Sequence, residues 1–174
     1  MATSVLIPIA EYLSTNYRPD REYIDGEVLE RNMGKWEHSR IQILLGAWFV
    51  QHESVWKIQS ATEWRTRVSP TRVRIPDLVL VPLGPQNEIL TIPPILAVEI
   101  LSPNDTYSET ENRARDYQQM GVQTIWIIDP QTRTGRVCTG AAWTQAPRLE
   151  VPGTEIHVDL PSLFALLDSG PQPA

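Results

Sequence analysis

Two short apolar segments, each bounded by proline and each containing one acidic residue, constrain the fold most strongly. Residues 73–82 include Leu78-Val79-Leu80-Val81, and residues 95–101 read Ile-Leu-Ala-Val-Glu-Ile-Leu. Runs of this length without polar alternation are typical of central β-strands that are buried on both faces. The sequence therefore predicts two central strands that carry Asp77 and Glu99.

Two helices are predicted beside these strands. In residues 36–50 the apolar residues recur at the i, i+3, i+4, i+7 spacing of a helix packed on one face. Residues 106–120 begin with two overlapping capping-box patterns, Thr106 with Glu109 and Ser108 with Glu111, and end at Gly121. The other predicted elements are an amphipathic segment at 8–13, a hairpin at 22–30, strands at 55–67 and 124–128, a hairpin with tips near Thr132 and Gly140, and a helix at 161–167.

This order of helices and strands predicts an α/β (α+β) fold with a central mixed β-sheet flanked by helices. A chain of 174 residues matches the usual size of one domain, so we expect one domain over residues 1–174. The proline-rich end, from about residue 169, is expected to fray.

Composition excludes several functional classes. The net charge of -6 and the pI near 5.1 argue against a protein that coats nucleic acid non-specifically, although a local basic patch stays possible. No apolar run has the length that a membrane span or a signal peptide needs, so we expect a cytoplasmic protein without a membrane partner. The single cysteine, Cys138, excludes an intramolecular disulfide and is expected to be a half-buried strand residue.

The acidic residues inside the two apolar strands are the strongest indication of chemistry. Ionised acids are almost never fully buried unless they are paired or bind a metal ion, because desolvation disfavours their charge. If the strands are neighbours, Asp77 and Glu99 can offer oxygen ligands to Mg²⁺ in one cleft. Alternatively, each acid lies at a strand end and meets solvent or an arginine.

Several separated motifs, in this order, resemble the Uma-type putative restriction endonuclease family, a branch of the PD-(D/E)XK nuclease superfamily. They are Tyr23-Ile24-Asp25-Gly26-Glu27, Glu37-His38, Arg74-Ile75-Pro76-Asp77, Val98-Glu99-Ile100-Leu101-Ser102-Pro103, Asp116-Tyr117 with Gly121-Val122, and Trp126-Ile127-Ile128-Asp129-Pro130. The resemblance implies a restriction-endonuclease-like core in which Asp77 and Glu99 hold Mg²⁺ or Mn²⁺ for phosphodiester hydrolysis. It also places Ile100 among the metal ligands.

The lysine of the superfamily is missing from its usual place. Leu101 stands two residues after Glu99, and the resemblance places the corresponding basic residue at Arg113, four residues before Tyr117. Arginine stays charged and cannot act as a base, but it can stabilise charge on a transferring phosphoryl group. The alternative for Arg113 is a solvated helix residue that pairs with Glu109.

Four further residues are accessory candidates. The resemblance places Glu27, Glu37 and His38 near the site, although helix capping explains Glu37 equally well. Tyr117 either orients a phosphate or packs against the sheet, and packing is favoured. His52 and His157 have no ligand partner at a suitable spacing and are expected at the surface, whereas Trp48 and Trp126 are expected in the core.

Two functions from different classes follow. The first is a metal-dependent DNA endonuclease with Asp77, Glu99 and Arg113 as catalytic residues. The alternative is a nuclease-fold protein that has lost catalysis and serves as a binding or assembly module, because Leu101 and Arg113 replace the usual lysine. The resemblance also implies a homodimer, with Trp56 or Trp143 partly buried by the partner copy.

Overall fold

The computed structural model describes residues 5–32 and 34–169. Its helices are α1 (Ile9–Ser14), α2 (Trp36–Trp56), α3 (Tyr107–Met120) and α4 (Leu160–Asp168). Its strands are β1 (Glu22–Ile24), β2 (Glu27–Leu29), β3 (Ile58–Thr62), β4 (Thr66–Ser69), β5 (Arg72–Arg74), β6 (Leu78–Pro82), β7 (Leu96–Ile100), β8 (Thr124–Asp129), β9 (Thr134–Thr139), β10 (Ala142–Gln145), β11 (Arg148–Glu150) and β12 (His157–Asp159).

A six-stranded mixed sheet lies at the centre, in the order β10-β9-β8-β7-β6-β3. Its strands pair antiparallel except β7 and β8, which are parallel and are joined through α3. A smaller sheet has the order β2-β1-β5-β4, and β11 pairs with β12. The predicted mixed sheet flanked by helices is confirmed.

The central strands are buried on both faces, as their apolar sequences predict. In β6, Leu78 and Leu80 belong to the core cluster that contains residues of α2 and α4, whereas Val79 and Val81 belong to the cluster that contains residues of α3. The same alternation in β7 places Val98 towards α2 and Ala97 towards α3. Since side chains alternate along a strand, Glu99 is directed to the face that α3 covers.

Two predicted strands are wrong in their extent. Residues 73–82 form two strands in different sheets, because the chain leaves the smaller sheet at Arg74 and enters the central sheet at Leu78. Pro76 lies in the gap, and proline cannot donate a hydrogen bond to a ladder. Asp77 therefore lies just before β6 rather than within it.

Residues 55–67 are also not one strand. Helix α2 continues to Trp56 and ends at Lys57, whose φ of 58° is left-handed. Strands β3 and β4 follow in different sheets, separated at Glu63, which also has a positive φ. Packing of α2 on the sheet extends this helix beyond the predicted end at residue 50 and overrides the alternating pattern.

Most of the other predicted elements are confirmed with small shifts. Thr106 and Glu109 form the predicted capping box at the start of α3, and Gly121 ends the helix with a φ of 109°. The second predicted capping box, Ser108 with Glu111, is wrong because Ser108 lies inside the helix. The β9–β10 hairpin turns at Gly140 as predicted. The end of the predicted frayed tail, residues 170–174, lies outside the described residues. Within the described ranges, none of the helices combines the length and apolarity that a bilayer crossing requires.

Cys138 is more buried than predicted, and two histidines have aromatic neighbours that were not predicted. Cys138 is fully buried in β9 rather than half-buried. His52 lies between Trp48 and Trp56, with ring centroids 4.1 and 4.3 Å apart, and His157 lies within 5.8 Å of both indoles. The i, i+4 spacing on α2 aligns Trp48, His52 and Trp56 on one face, so the two partly buried histidines pack on aromatic rings. Trp126 and the partly buried Trp48 belong to the core, as predicted.

Candidate active site

Asp77 and Glu99 occupy neighbouring positions on the two central strands. The antiparallel register pairs Leu78 with Val98, and one further step along both strands places Asp77 opposite Glu99. Both acids are only 3% exposed, and both line one small cavity. The predicted adjacency of the two strands is confirmed.

The carboxylate of Asp77 accepts hydrogen bonds from three protein groups. Oδ2 accepts from the backbone N–H of Ile100 at 2.7 Å, and thereby replaces the backbone carbonyl that a longer β6 would offer. Oδ1 lies 3.1 Å from Nη2 of Arg31 and 3.2 Å from Nε2 of His38. Asp77 can be buried because both of its carboxylate oxygens have hydrogen-bond partners.

Two side chains of α3 contact the carboxylate of Glu99. The Tyr117 hydroxyl donates to its Oε1 at 2.5 Å, and Nη1 of Arg113 lies 3.5 Å from Oε2. Arg113 and Tyr117 are four residues apart, so one face of the helix presents both groups to the acid. Burial and the nearby charge of Asp77 raise the pKa of Glu99 to about 7, although Arg113 and Tyr117 act to lower this pKa.

Arg113 does not point into solvent. Its side chain is 18% exposed, and its guanidinium lies within 4.0 Å of the carboxylates of Glu22, Glu99 and Asp105. Glu109 instead accepts hydrogen bonds from Thr106 at the start of α3. The alternative in which Arg113 is a solvated partner of Glu109 is therefore wrong.

His38 is buried in the first turns of α2, against Asp77. Burial lowers the pKa of its imidazole, but the hydrogen bond that the ring donates to Asp77 and the charge of that acid outweigh this effect and raise the pKa. Its Nδ1 is buried without a hydrogen-bond partner among the described residues. A Cβ on Gly34 would lie 2.6 Å from Nδ1, so the ring requires glycine at this position.

The other predicted residues differ in their relation to the cavity. Ile100 lines it and donates its backbone N–H to Asp77. Tyr117 is fully buried and packs against the sheet, which is the alternative that the sequence favoured. Its hydroxyl also donates a hydrogen bond to Glu99. Glu27 lies in β2, and Glu37 lies 3.9 Å from Arg133, and neither residue lines the cavity.

Four residues around the acids were not predicted from the sequence: Glu22, Arg31, Asn32 and Asp105. Asn32 donates to Asp105 at 2.7 Å, and Asp105 also accepts from the backbone N–H of Ser102. Glu22 is buried and accepts from Arg74 at 2.7 Å. Arg31 and Asn32 lie in an irregular segment between β2 and α2 whose sequence has no periodic pattern. A signal existed for Glu22 alone, as an acid that directly precedes an apolar pair in a hairpin.

The donor set at the cavity suits a hard divalent cation. The space between the side chains is about 10 Å³, which is room for about one water-sized sphere. In the described part of the chain, no group of three or more His, Cys, Asp or Glu side chains is arranged to hold a metal ion. Two carboxylates nevertheless fit Mg²⁺ or Mn²⁺, which use one or two protein carboxylates and complete their coordination with water and substrate oxygens.

The raised pKa of Glu99 predicts a pH-dependent loss of stability in metal-free buffer. Because the folded pKa of about 7 exceeds the ordinary value of 4.5, the stabilisation by the bound proton is complete below pH 4.5 and is lost as the pH rises through 7. We expect Glu99→Gln, which resembles the protonated acid, to lose less stability over this range, by on the order of 2 kcal/mol.

Urea unfolding of the wild type and Glu99→Gln at several pH values measures this difference, with the exposed Glu88→Gln as the control. His38 titrates in all three proteins, so the comparison isolates Glu99. Parallel stability profiles for the wild type and Glu99→Gln would contradict the prediction.

Comparison with known proteins identifies a family that matches most of this chain. The family model described as Uma2, putative restriction endonuclease, matches residues 9–166. The crystal structure of a putative nuclease belonging to DUF820 from Anabaena variabilis ATCC 29413 is similar, with a TM-score of 0.82 and 24% identity over 92% of this chain and 99% of that chain. At this identity the likeness shows a shared fold.

A more distant similarity is to the cryo-EM structure of a DrdV–DNA complex, with a TM-score of 0.36 and 14% identity over 76% of this chain and 90% of that chain. A score this low supports no conclusion. Comparison with curated proteins gives no match. Since the family model spans most of the sequence, this chain belongs to the Uma2 putative restriction endonuclease family.

Proposed function

We propose that this protein is a DNA endonuclease that requires a divalent metal ion, Mg²⁺ or Mn²⁺, and hydrolyses phosphodiester bonds. The observation that carries the proposal is the pair of buried carboxylates, Asp77 and Glu99, which face one cavity with the guanidinium of Arg113. A buried acid with a raised pKa, as Glu99 has, is common at catalytic sites. Membership of the Uma2 family supports a nuclease rather than another hydrolase.

Each residue of the site has a role in this proposal. Asp77 and Glu99 would hold the ion, with Ile100 as the third proposed ligand. The ion, when bound, would lower the pKa of water and so supply a nucleophile at neutral pH. Tyr117 fixes one oxygen of Glu99, and His38 fixes one oxygen of Asp77, so both carboxylates keep their orientation. Such fixed geometry contributes to rate by positioning the reacting groups.

Arg113 would stabilise negative charge on the phosphoryl group. Its guanidinium stays protonated, so it cannot replace the superfamily lysine as a base. It lines both the acid cavity and an open polar cleft of about 270 Å³ between the β1–β2 hairpin and α3. This position would place its charge where a DNA phosphate approaches the acids. We propose that DNA is the substrate and that the protein acts in the cytoplasm.

One observation favours the alternative of an inactive binding or assembly module. The carboxylate oxygens of Asp77 and Glu99 already have protein partners, including the cationic groups Arg31 and Arg113. A site with this pairing is stable without an ion, and the fold alone does not confer catalysis. Metal binding and cleavage must therefore be measured separately.

We expect Mn²⁺ to bind the wild type and to lose its site in Asp77→Ala. Removing the carboxylate removes one of two charged ligands, which weakens binding at least about tenfold. Isothermal titration calorimetry measures the affinity, with Asp168→Ala at an exposed position as the control. Equal binding, or no binding, in the wild type and Asp77→Ala would contradict the proposed site.

We expect the wild type to nick supercoiled plasmid in the presence of Mn²⁺ and Glu99→Ala to lose this activity by about 100-fold or more, because one ligand of the ion is absent. Gel electrophoresis of the relaxed and linear forms measures the rate, and Glu88→Ala serves as the control for nuclease contamination. Activity that disappears with Glu99 rules out the inactive module. A wild type without activity that still binds Mn²⁺ would favour it.

We also propose that the protein is a homodimer, since two sites can cut two strands. The two tryptophans expected at the dimer contact, Trp56 and Trp143, are not the most exposed apolar side chains. Each is half-buried and packs on one of the two core clusters. Larger exposed apolar side chains lie along one face of α2, where Trp36, Ile43 and Val50 are 71%, 64% and 59% exposed. Apolar residues repeated every seven positions along a helix are typical of a helix–helix contact.

Sedimentation equilibrium tests this association. We expect a dimer mass at micromolar concentration, and a shift towards monomer in Ile43→Lys, because a charge would be buried in the contact. Leu83→Lys, at an exposed position outside α2, is the matched control. A monomer mass for the wild type over the whole range would refute the dimer and favour cleavage of single strands.

A further inference from the structure

Arg31 contacts Asp77, one of the two acids, without being part of any predicted motif. It lies between β2 and α2, and its side chain is 19% exposed. One guanidinium nitrogen, Nη2, lies 3.1 Å from Oδ1 of Asp77, and the other, Nη1, lies 3.9 Å from the more exposed carboxylate of Glu63. Asp77 is therefore the principal partner of this guanidinium.

A metal ion and Arg31 would compete for the same carboxylate. Oδ1 of Asp77 already meets Arg31 and His38, while Oδ2 accepts the backbone N–H of Ile100. The Ile100 contact is fixed by the sheet and the His38 contact by α2, whereas Arg31 lies outside helices and strands on a long side chain. Arg31 is thus the group that can leave Asp77 with the least rearrangement of the fold.

A displaced Arg31 would need another anion. A guanidinium that keeps little contact with water and has lost its carboxylate is unfavourable, because its charge is no longer compensated. The planar guanidinium matches the oxygens of a phosphate in a bidentate arrangement. Arg31 and Arg113 line the same cavity, one beside each acid, so a phosphate between them would meet two arginines.

We propose that Arg31 is a phosphate-binding residue of this site, which is held on Asp77 in the metal-free protein and moves to the DNA phosphate when an ion occupies Asp77. The inference rests on the proposed function, since it assigns a residue to the same metal and substrate site. Arg31 then contributes twice: it compensates Asp77 before the ion binds, and it makes phosphate binding dependent on the ion.

The first test compares Mn²⁺ binding by calorimetry in the wild type, Arg31→Met and Arg115→Met. Arg115 is exposed on α3 and contacts Asn112, so its variant is the matched control. We expect Arg31→Met to bind Mn²⁺ roughly tenfold more tightly than the wild type, because the ion no longer has to displace the guanidinium. Arg115→Met should resemble the wild type. Equal or weaker Mn²⁺ binding in Arg31→Met would overturn the proposal.

The second test measures binding of a fluorescent DNA duplex by anisotropy, either in EDTA or with Ca²⁺, a hard cation that also takes carboxylate ligands. With Ca²⁺, we expect Arg31→Met to bind the duplex roughly tenfold more weakly than the wild type. In EDTA, the two proteins should bind alike, because Arg31 is held on Asp77. An equal loss in both buffers, or no loss with Ca²⁺, would overturn the assignment of Arg31 to phosphate.

Arg31→Lys is the control for a folding defect in Arg31→Met. Lysine keeps a cation beside Asp77 but lacks the bidentate fork. We expect its Mn²⁺ affinity to stay near the wild-type value and its Ca²⁺-dependent DNA binding to fall several-fold. DNA binding at the wild-type level would overturn the phosphate contact.

The Mn²⁺ titrations separate failure of the metal site from failure of the role of Arg31. Titrations without binding heat in both the wild type and Arg31→Met would overturn the metal site and the exchange together. Equal, measurable Mn²⁺ affinities would overturn the role of Arg31 alone.

Discussion

Two carboxylates buried side by side in an apolar sheet impose the main constraint on this structure. Asp77 and Glu99 repel each other and lose hydration, so each requires compensating donors. Arg31 and His38 supply them for Asp77, and Arg113 and Tyr117 supply them for Glu99. These donors come from the segment before α2, from α2 and from α3. The acid pair therefore determines how the segments around the central sheet must pack at this end.

The same compensation extends into the smaller sheet. Arg74 donates to Glu22 and to Asp116, and Asp116 also accepts from Arg72. Asp116 precedes Tyr117 on α3, so these ion pairs hold the inner strands β1 and β5 of the smaller sheet against the helix that contacts Glu99. Breaking a buried pair by removal of one partner costs about 3–5 kcal/mol, because the other charge stays buried. The Arg74 and Asp116 motifs thus support the site without reaching the cavity.

Sequence patterns predicted the central sheet and the acid pair, because apolar runs bounded by proline and acids inside them are local signals. The ends of β5 and β6 could not be read from residues 73–82, since the change of sheet at Pro76 depends on which strands pair. Arg31 and Asp105 were missed for a related reason. Arg31 contacts Asp77, and Asp105 contacts Arg113. Such contacts form when the chain folds, and a periodic pattern in the sequence does not predict them. The position of Arg113 followed from the resemblance alone, whereas its burial among three acids required the structure.

An arginine at position 113 changes what the site can do. Its guanidinium spans three carboxylates at 3.5 to 4.0 Å, a span that suits a planar fork better than the compact ammonium of lysine. The surrounding acids and its own chemistry keep it charged, so it supplies a fixed positive charge at every pH at which the protein folds. In the proposed hydrolysis, two tasks that one lysine could share would therefore be separate. Arg113 would provide charge stabilisation, and removal of a proton from water would depend on the ion that the carboxylates are proposed to hold.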